Sequence, residues 1–112
     1  MSVGKLCAQI GHGIESLCNM YSYYVSLSER LPTDEYNLLL EDYWSWVFTS
    51  SSTKIVLGAN SKEFNKLKKS ISQHFVVTDA GKTELKPGTE TVLCFWPIEK
   101  DSDKMIKRLR LL

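Results

Sequence analysis

Apolar residues recur near the start of the chain at Leu6, Ile10, Ile14, Leu17, Cys18, Tyr21, Tyr24 and Val25, the three-and-four spacing of a helix with one apolar stripe. The pattern predicts one long helix ending before Pro32, because proline interrupts the ladder of helical hydrogen bonds. Thr33 and Asp34 offer cap chemistry for a second helix that carries Tyr36, Leu39, Leu40, Tyr43, Trp44 and Val47 and stops at the Thr49 to Ser52 run. Lys54 to Gly58 is a short β-branched apolar run that reads as a buried strand. Asn60 or Ser61 then caps a third helix with Phe64, Leu67 and Ile71 on one face and lysines on the other. His74 to Thr78 and Thr91 to Trp96 predict two further strands, the last stopped by Pro97. A final helix over roughly 100–110 buries Met105, Ile106 and Leu109.

Strand, helix and strand in so short a span make a βαβ unit, expected to be parallel and right-handed. The fold class that follows is α/β: a small mixed, mostly parallel sheet flanked by helices in three layers. A helix in such a fold normally follows a strand on which it packs back, whereas here it begins almost at Met1. Either the sheet is thin or the sequence starts after its first strand.

Composition narrows the class. A chain of 112 residues, 43% hydrophobic and 24% charged, suits one domain spanning 1–112 with a core of its own. Cys7, Cys18 and Cys94 are odd in number and lie in apolar runs, so they read as buried reduced thiols and favour a cytoplasmic protein. No run approaches the roughly 18 apolar residues of a membrane span, and no signal-peptide core stands at the start. The net charge of +1 conceals an asymmetry. Glu15, Glu29, Asp34, Glu35, Glu41 and Asp42 make the first part acidic, while Lys62, Lys66, Lys68, Lys69, Lys104, Lys107, Arg108 and Arg110 make the rest basic. Such clusters serve either as solvated helix faces or as phosphate contacts.

Familiar catalytic motifs are absent. Gly81-Lys82-Thr83 is not a phosphate-binding loop, because the position that needs glycine is Val76, inside a strand. No His, Cys or carboxylate cluster has ligand spacing, and no G-x-S-x-G elbow occurs. Two subtler features remain. Lys5, Gln9 and His12 form a polar stripe on the first helix, whose N-terminal end favours oxyanions and phosphates. Asp79 directly follows a strand and so lies at the sheet edge where open α/β folds bind ligands. The bland readings are a solvent-facing helix edge and ordinary turn chemistry.

Taken together, Gly4-Lys5-Leu6-Cys7-Ala8-Gln9-Ile10-Gly11-His12-Gly13, Asp79-Ala80-Gly81-Lys82-Thr83, Pro87-Gly88-Thr89-Glu90-Thr91-Val92-Leu93 and the closing Leu109-Arg110-Leu111-Leu112 resemble peptidyl-tRNA hydrolase of the archaeal and eukaryotic type. The likeness covers essentially the whole chain, with an enlarged connection through roughly 20–50. Family members look like G-K-x-A-A-Q-C-S-H-A, D-A-G-R-T and P-G-T-x-T-V-L, so Ile10, Gly11, Gly13 and Lys82 stand where the pattern has Cys, Ser, Ala and Arg. The pattern also places a strand before the first motif, and this sequence starts after it.

The resemblance implies hydrolysis of the ester between a peptide and the 3′ ribose of tRNA, without metal or other cofactor. It assigns Lys5, His12 and Asp79 to catalysis: Asp79, helped by His12, orients and activates water, and Lys5 meets the oxyanion or terminal phosphate. Gln9, Thr83, Gly88 and Thr91 hold the substrate, and Lys62, Lys66 and Lys69 contact RNA phosphates. The expected partners are peptidyl-tRNA and a second copy in a homodimer, with no membrane and no DNA. The expected location is the cytoplasm, or the mitochondrion if a leading segment precedes Met1. The competing reading, resting on Gly11 and the missing strand, is a non-catalytic member that binds RNA or a protein.

Overall fold

The computed structural model describes residues 1–31, 34–81, 88–98 and 103–112. Helix α1 spans Val3–Arg30. Ser2 opens it by accepting the Lys5 N–H on its hydroxyl at 3.1 Å, and Leu31 closes it by donating its N–H to Leu27 O at 2.7 Å. Helix α2, Asp34–Phe48, packs along the later turns of α1 through aromatic rings, with Tyr21 and Tyr43 stacked at 4.2 Å. Strand β1 is Leu57–Gly58, and helix α3 is Ser61–Ser70. Asn60 caps α3 in a reciprocal box: its side chain accepts the Glu63 N–H at 2.8 Å while Glu63 accepts the Asn60 N–H at 2.9 Å. Strands β2, His74–Thr78, and β3, Glu90–Phe95, precede helix α4, Lys104–Arg108, and strand β4, Arg110–Leu111.

The result is a mixed α/β chain, but the described strands do not form the expected mostly parallel sheet. Both ladders are antiparallel, β2 with β3 and β1 with β4. Strand β3 runs along β2 from His74 opposite Phe95 to Thr78 opposite Glu90, so one edge of β2 is taken by an antiparallel neighbour. Strand β1 is shorter than the apolar run suggested. Ile55 is 56% and Val56 37% exposed, and only Leu57 and Gly58 join a ladder, with the C-terminal residues. Accordingly the last helix stops at Arg108, and the residues that follow turn into β4. An apolar groove of about 970 Å³ separates the two ladders, lined by Leu6 and Ile10 of α1, Leu67 of α3, Leu93 of β3, and Ile106 and Leu109 near the C-terminus.

Leu17, Leu67, Val77 and Trp96 form the buried apolar core. The cysteines depart from expectation: Cys7 and Cys18 are exposed on α1, and only Cys94 is half-buried, where burial pushes its thiol pKa up. No described helix is long and apolar enough to cross a membrane.

Close contact between α1 and the β2–β3 ladder depends on Gly13. A Cβ there would lie 3.3 Å from Cys94 Cβ and 3.6 Å from Val77 Cγ2. At exposed Gly11 a Cβ would meet nothing within 4 Å. Helix interiors favour Ala over Gly by about 0.5–1 kcal/mol. Gly11→Ala is therefore expected to stabilise the chain by about that amount, and Gly13→Ala by less, because its methyl must displace Cys94. Urea unfolding of the two variants decides this, and equal gains would show that the contact at Gly13 is not tight.

Candidate active site

The buried face of α1 carries Gln9, Gly13 and Leu17, each one turn beyond the last, and Lys5 continues the row toward the N-terminus. Buried polar groups require partners, and the sheet supplies them. The Lys5 ammonium forms an ion pair with Asp79 Oδ1. Gln9, 4% exposed, meets Thr91, whose Oγ1 lies 2.6 Å from Gln9 Oε1 and 3.2 Å from Val77 O. One hydroxyl proton cannot serve both, so it goes to the nearer oxygen.

Asp79 follows β2 and is held from several directions. Its N–H donates to Thr89 O at 2.8 Å, its carbonyl accepts the Gly88 N–H at 2.8 Å, and its Oδ2 accepts the Gly81 N–H at 2.7 Å. Gly81 and Gly88 have φ of 77° and 81°, left-handed values that glycine adopts without penalty. The turn is thus cross-braced around the carboxylate. Thr91 is brought to α1 by an irregularity of the ladder: Val77 faces Val92 but Thr78 faces Glu90, leaving Thr91 as the extra residue of a bulge.

Electrostatically, the hydrogen bond from Lys5, together with the Gly81 N–H and the charge of Lys5, holds the Asp79 carboxyl below its ordinary value against the opposing effect of burial. Asp79 is thereby kept ionised and made a weak base. The side chain of Asp79 is 2% exposed and that of Lys5 14%, so Lys5 is the more accessible member of the pair.

Of the residues singled out from sequence, the structure brings together Lys5, Gln9, Asp79 and Thr91, with Gly88 at the edge of the same turn. His12 is exposed, two turns or about 10 Å along the axis from Lys5, and its imidazole makes no hydrogen bond among the described residues. The stripe Lys5–Gln9–His12 therefore divides: the step of four keeps Gln9 on the sheet side, and the further step of three carries His12 to solvent. Thr83 lies outside the described residues. Lys62, Lys66 and Lys69 share an exposed face of α3, and Lys68 is occupied by Glu90 at 2.8 and 2.9 Å. The sequence reading missed two contributors. Gly13 admits the close approach of helix and sheet, signalled only by a glycine one turn beyond Gln9. The Thr89 carbonyl braces Asp79 through a backbone bond that no side chain announces. Among the described residues no group of three or more His, Cys, Asp or Glu could hold a metal ion.

Comparison with known proteins gives the family. A relative from Nanoarchaeum equitans (strain Kin4-M), described as peptidyl-tRNA hydrolase, is 32% identical over 114 residues, covering 96% of this chain and 86% of that protein. No solved structure matches. The family model described as peptidyl-tRNA hydrolase PTH2 matches residues 1–112, the whole of the sequence, and the chain belongs to that family.

Proposed function

We propose that the chain hydrolyses peptidyl-tRNA by presenting the Lys5 ammonium to the oxyanion that forms when water attacks the ester carbonyl. The observation that carries this reading is the ion pair of partly accessible Lys5 with buried, ionised Asp79 beside the Gln9–Thr91 contact. Water adds to the carbonyl carbon, negative charge gathers on the carbonyl oxygen, and the bond to the 3′ ribose oxygen breaks as that oxygen takes a proton. The products are a peptide with a free carboxylate and tRNA with a free 3′ hydroxyl.

Stabilising charge where it develops is the most effective contribution a fixed cation makes, and Asp79 holds the cation in place before the substrate arrives. Asp79 is poorly basic, so in this reading it orients the attacking water rather than removing its proton outright. With Thr91 donating to Gln9 Oε1, the Gln9 amide N–H groups are the donor end that meets the substrate ester, while Gly88 and Thr83 border the 3′ end. The single domain 1–112 acts in this reading where peptidyl-tRNA arises, in the cytoplasm, as a homodimer.

Purified chain incubated with N-blocked aminoacyl-tRNA is expected to release the blocked amino acid and intact tRNA; absence of release would remove the reading. Lys62, Lys66 and Lys69 supply phosphate contacts that steer the acceptor stem with little reading of sequence. Changing all three to Gln is expected to raise KM and flatten its salt dependence, the slope falling by close to one for each phosphate that is no longer neutralised. An unchanged slope would place the tRNA elsewhere.

A further inference from the structure

The enlarged connection through residues 20–50 takes no part in the site described above. Its helix α2 contains Asp34, Glu35, Glu41 and Asp42, no Lys or Arg, and no buried residue. Tyr36, Leu39, Tyr43 and Val47 are half-buried on one side of it. The opposite side exposes Leu38 at 59%, Trp44 at 43% and Phe48 at 75%. At 100° per residue, Trp44, Phe48, Glu41, Asp34 and Leu38 fall in sequence around that open side. The Trp44 and Phe48 rings stack on each other at 5.2 Å with planes 11° apart, so they present a flat aromatic step bordered by carboxylates.

We propose that this face of α2 docks a basic amphipathic helix of a protein partner. Rigid aromatic rings are effective anchors in an interface because little side-chain freedom is lost on burying them. The carboxylates within the face select the sign of the partner's charge. They repel RNA phosphates and anionic lipid headgroups alike, which sets α2 apart from the lysine face of α3. A second copy of this chain fits less well. Its basic surfaces are α3 and the end of α4, and a contact from α2 of one copy to α3 of another covers the lysines assigned to tRNA. A partner helix with apolar residues along one stripe and Lys or Arg beside it satisfies both the rings and the acids. Helix α2 is 15 residues, about 22 Å, long enough to meet such a helix over four turns.

The test uses the full chain and a labelled model peptide with Leu on one helical face and Lys on the other, read by fluorescence anisotropy. Its controls are a scrambled peptide of the same composition and a Glu/Leu counterpart. The Lys/Leu peptide is expected to bind, and the two controls to bind at least tenfold more weakly. Phe48→Ser and Glu41→Lys are each expected to weaken binding about tenfold, with helical content and hydrolysis of N-blocked aminoacyl-tRNA unchanged. Equal binding by wild type and both variants, or by the scrambled peptide, would overturn the proposal. So would sedimentation showing self-association of the wild type that Phe48→Ser abolishes, which would assign the face to a second copy. Loss of tRNA binding in either variant would assign it to RNA and equally overturn the proposal.

Discussion

Asp79→Asn is expected to lower kcat by about 10²–10³-fold with little change in KM, the magnitude seen when one preorganised stabiliser of an oxyanion is lost. The substitution keeps the shape of the turn and loses the charge that fixes Lys5. Lys5→Met should cost a similar factor, and the double variant little more than either alone, because the two groups act as one unit. Additive losses would show that they act separately. Full turnover in Asp79→Asn would remove both from the mechanism.

The same pair has a signature in pH. The folded pKa of Asp79 is lowered from an ordinary value of 3.8, chiefly by its hydrogen bond with Lys5. Its contribution to stability is therefore complete above that unfolded value and is lost as pH falls through the lower folded value. Unfolding measured across this acid window should show stability falling with pH in the wild type and falling less steeply in Asp79→Asn. Identical slopes would mean that the carboxyl is not held ionised by its surroundings.

The largest expected loss of stability is at Trp96, which is 1% exposed where β3 ends. Its ring meets Tyr24 of α1 edge-on at 4.9 Å and Tyr43 of α2 at 5.5 Å, and its indole N–H donates to Leu39 O at 2.9 Å. One side chain thus joins the ladder to both long helices. Trp96→Ala is expected to cost about 3–5 kcal/mol in urea unfolding, the range for a large aromatic removed from a core. Trp96→Phe should cost less, since a ring remains and Leu39 O keeps its acceptor role within α2. A loss below about 1 kcal/mol for the alanine variant would show that α2 is not held through this ring.

How much could be read in advance differs by residue. The Asn60 cap, the His74–Thr78 strand and the end of α1 near Arg30 all lay where the pattern put them, because caps, alternation and proline act over a few neighbouring residues. Lys54 to Val56 misled for the same reason. A β-branched run shows strand propensity, but whether it enters a sheet depends on a neighbouring strand, and Ile55 found none among the described residues.

Gln9 shows the limit most clearly. Its spacing from Lys5 and His12 suggested one polar stripe, yet Gln9 is buried and His12 exposed. The choice was made by Thr91, 82 positions away in the chain, which offers the buried amide a hydrogen bond. By itself the amino-acid order determined the helices, two of the strands, the Asp79 turn and the family, all written in local spacing or short motifs. Only the tertiary structure decided that the strands pair antiparallel, that Gly13 lets α1 approach the ladder, and that Lys5 and Asp79 form one ion-paired unit. Those decisions belong to contacts between distant segments, where a buried charge or amide is stable only beside the partner that the fold brings to it.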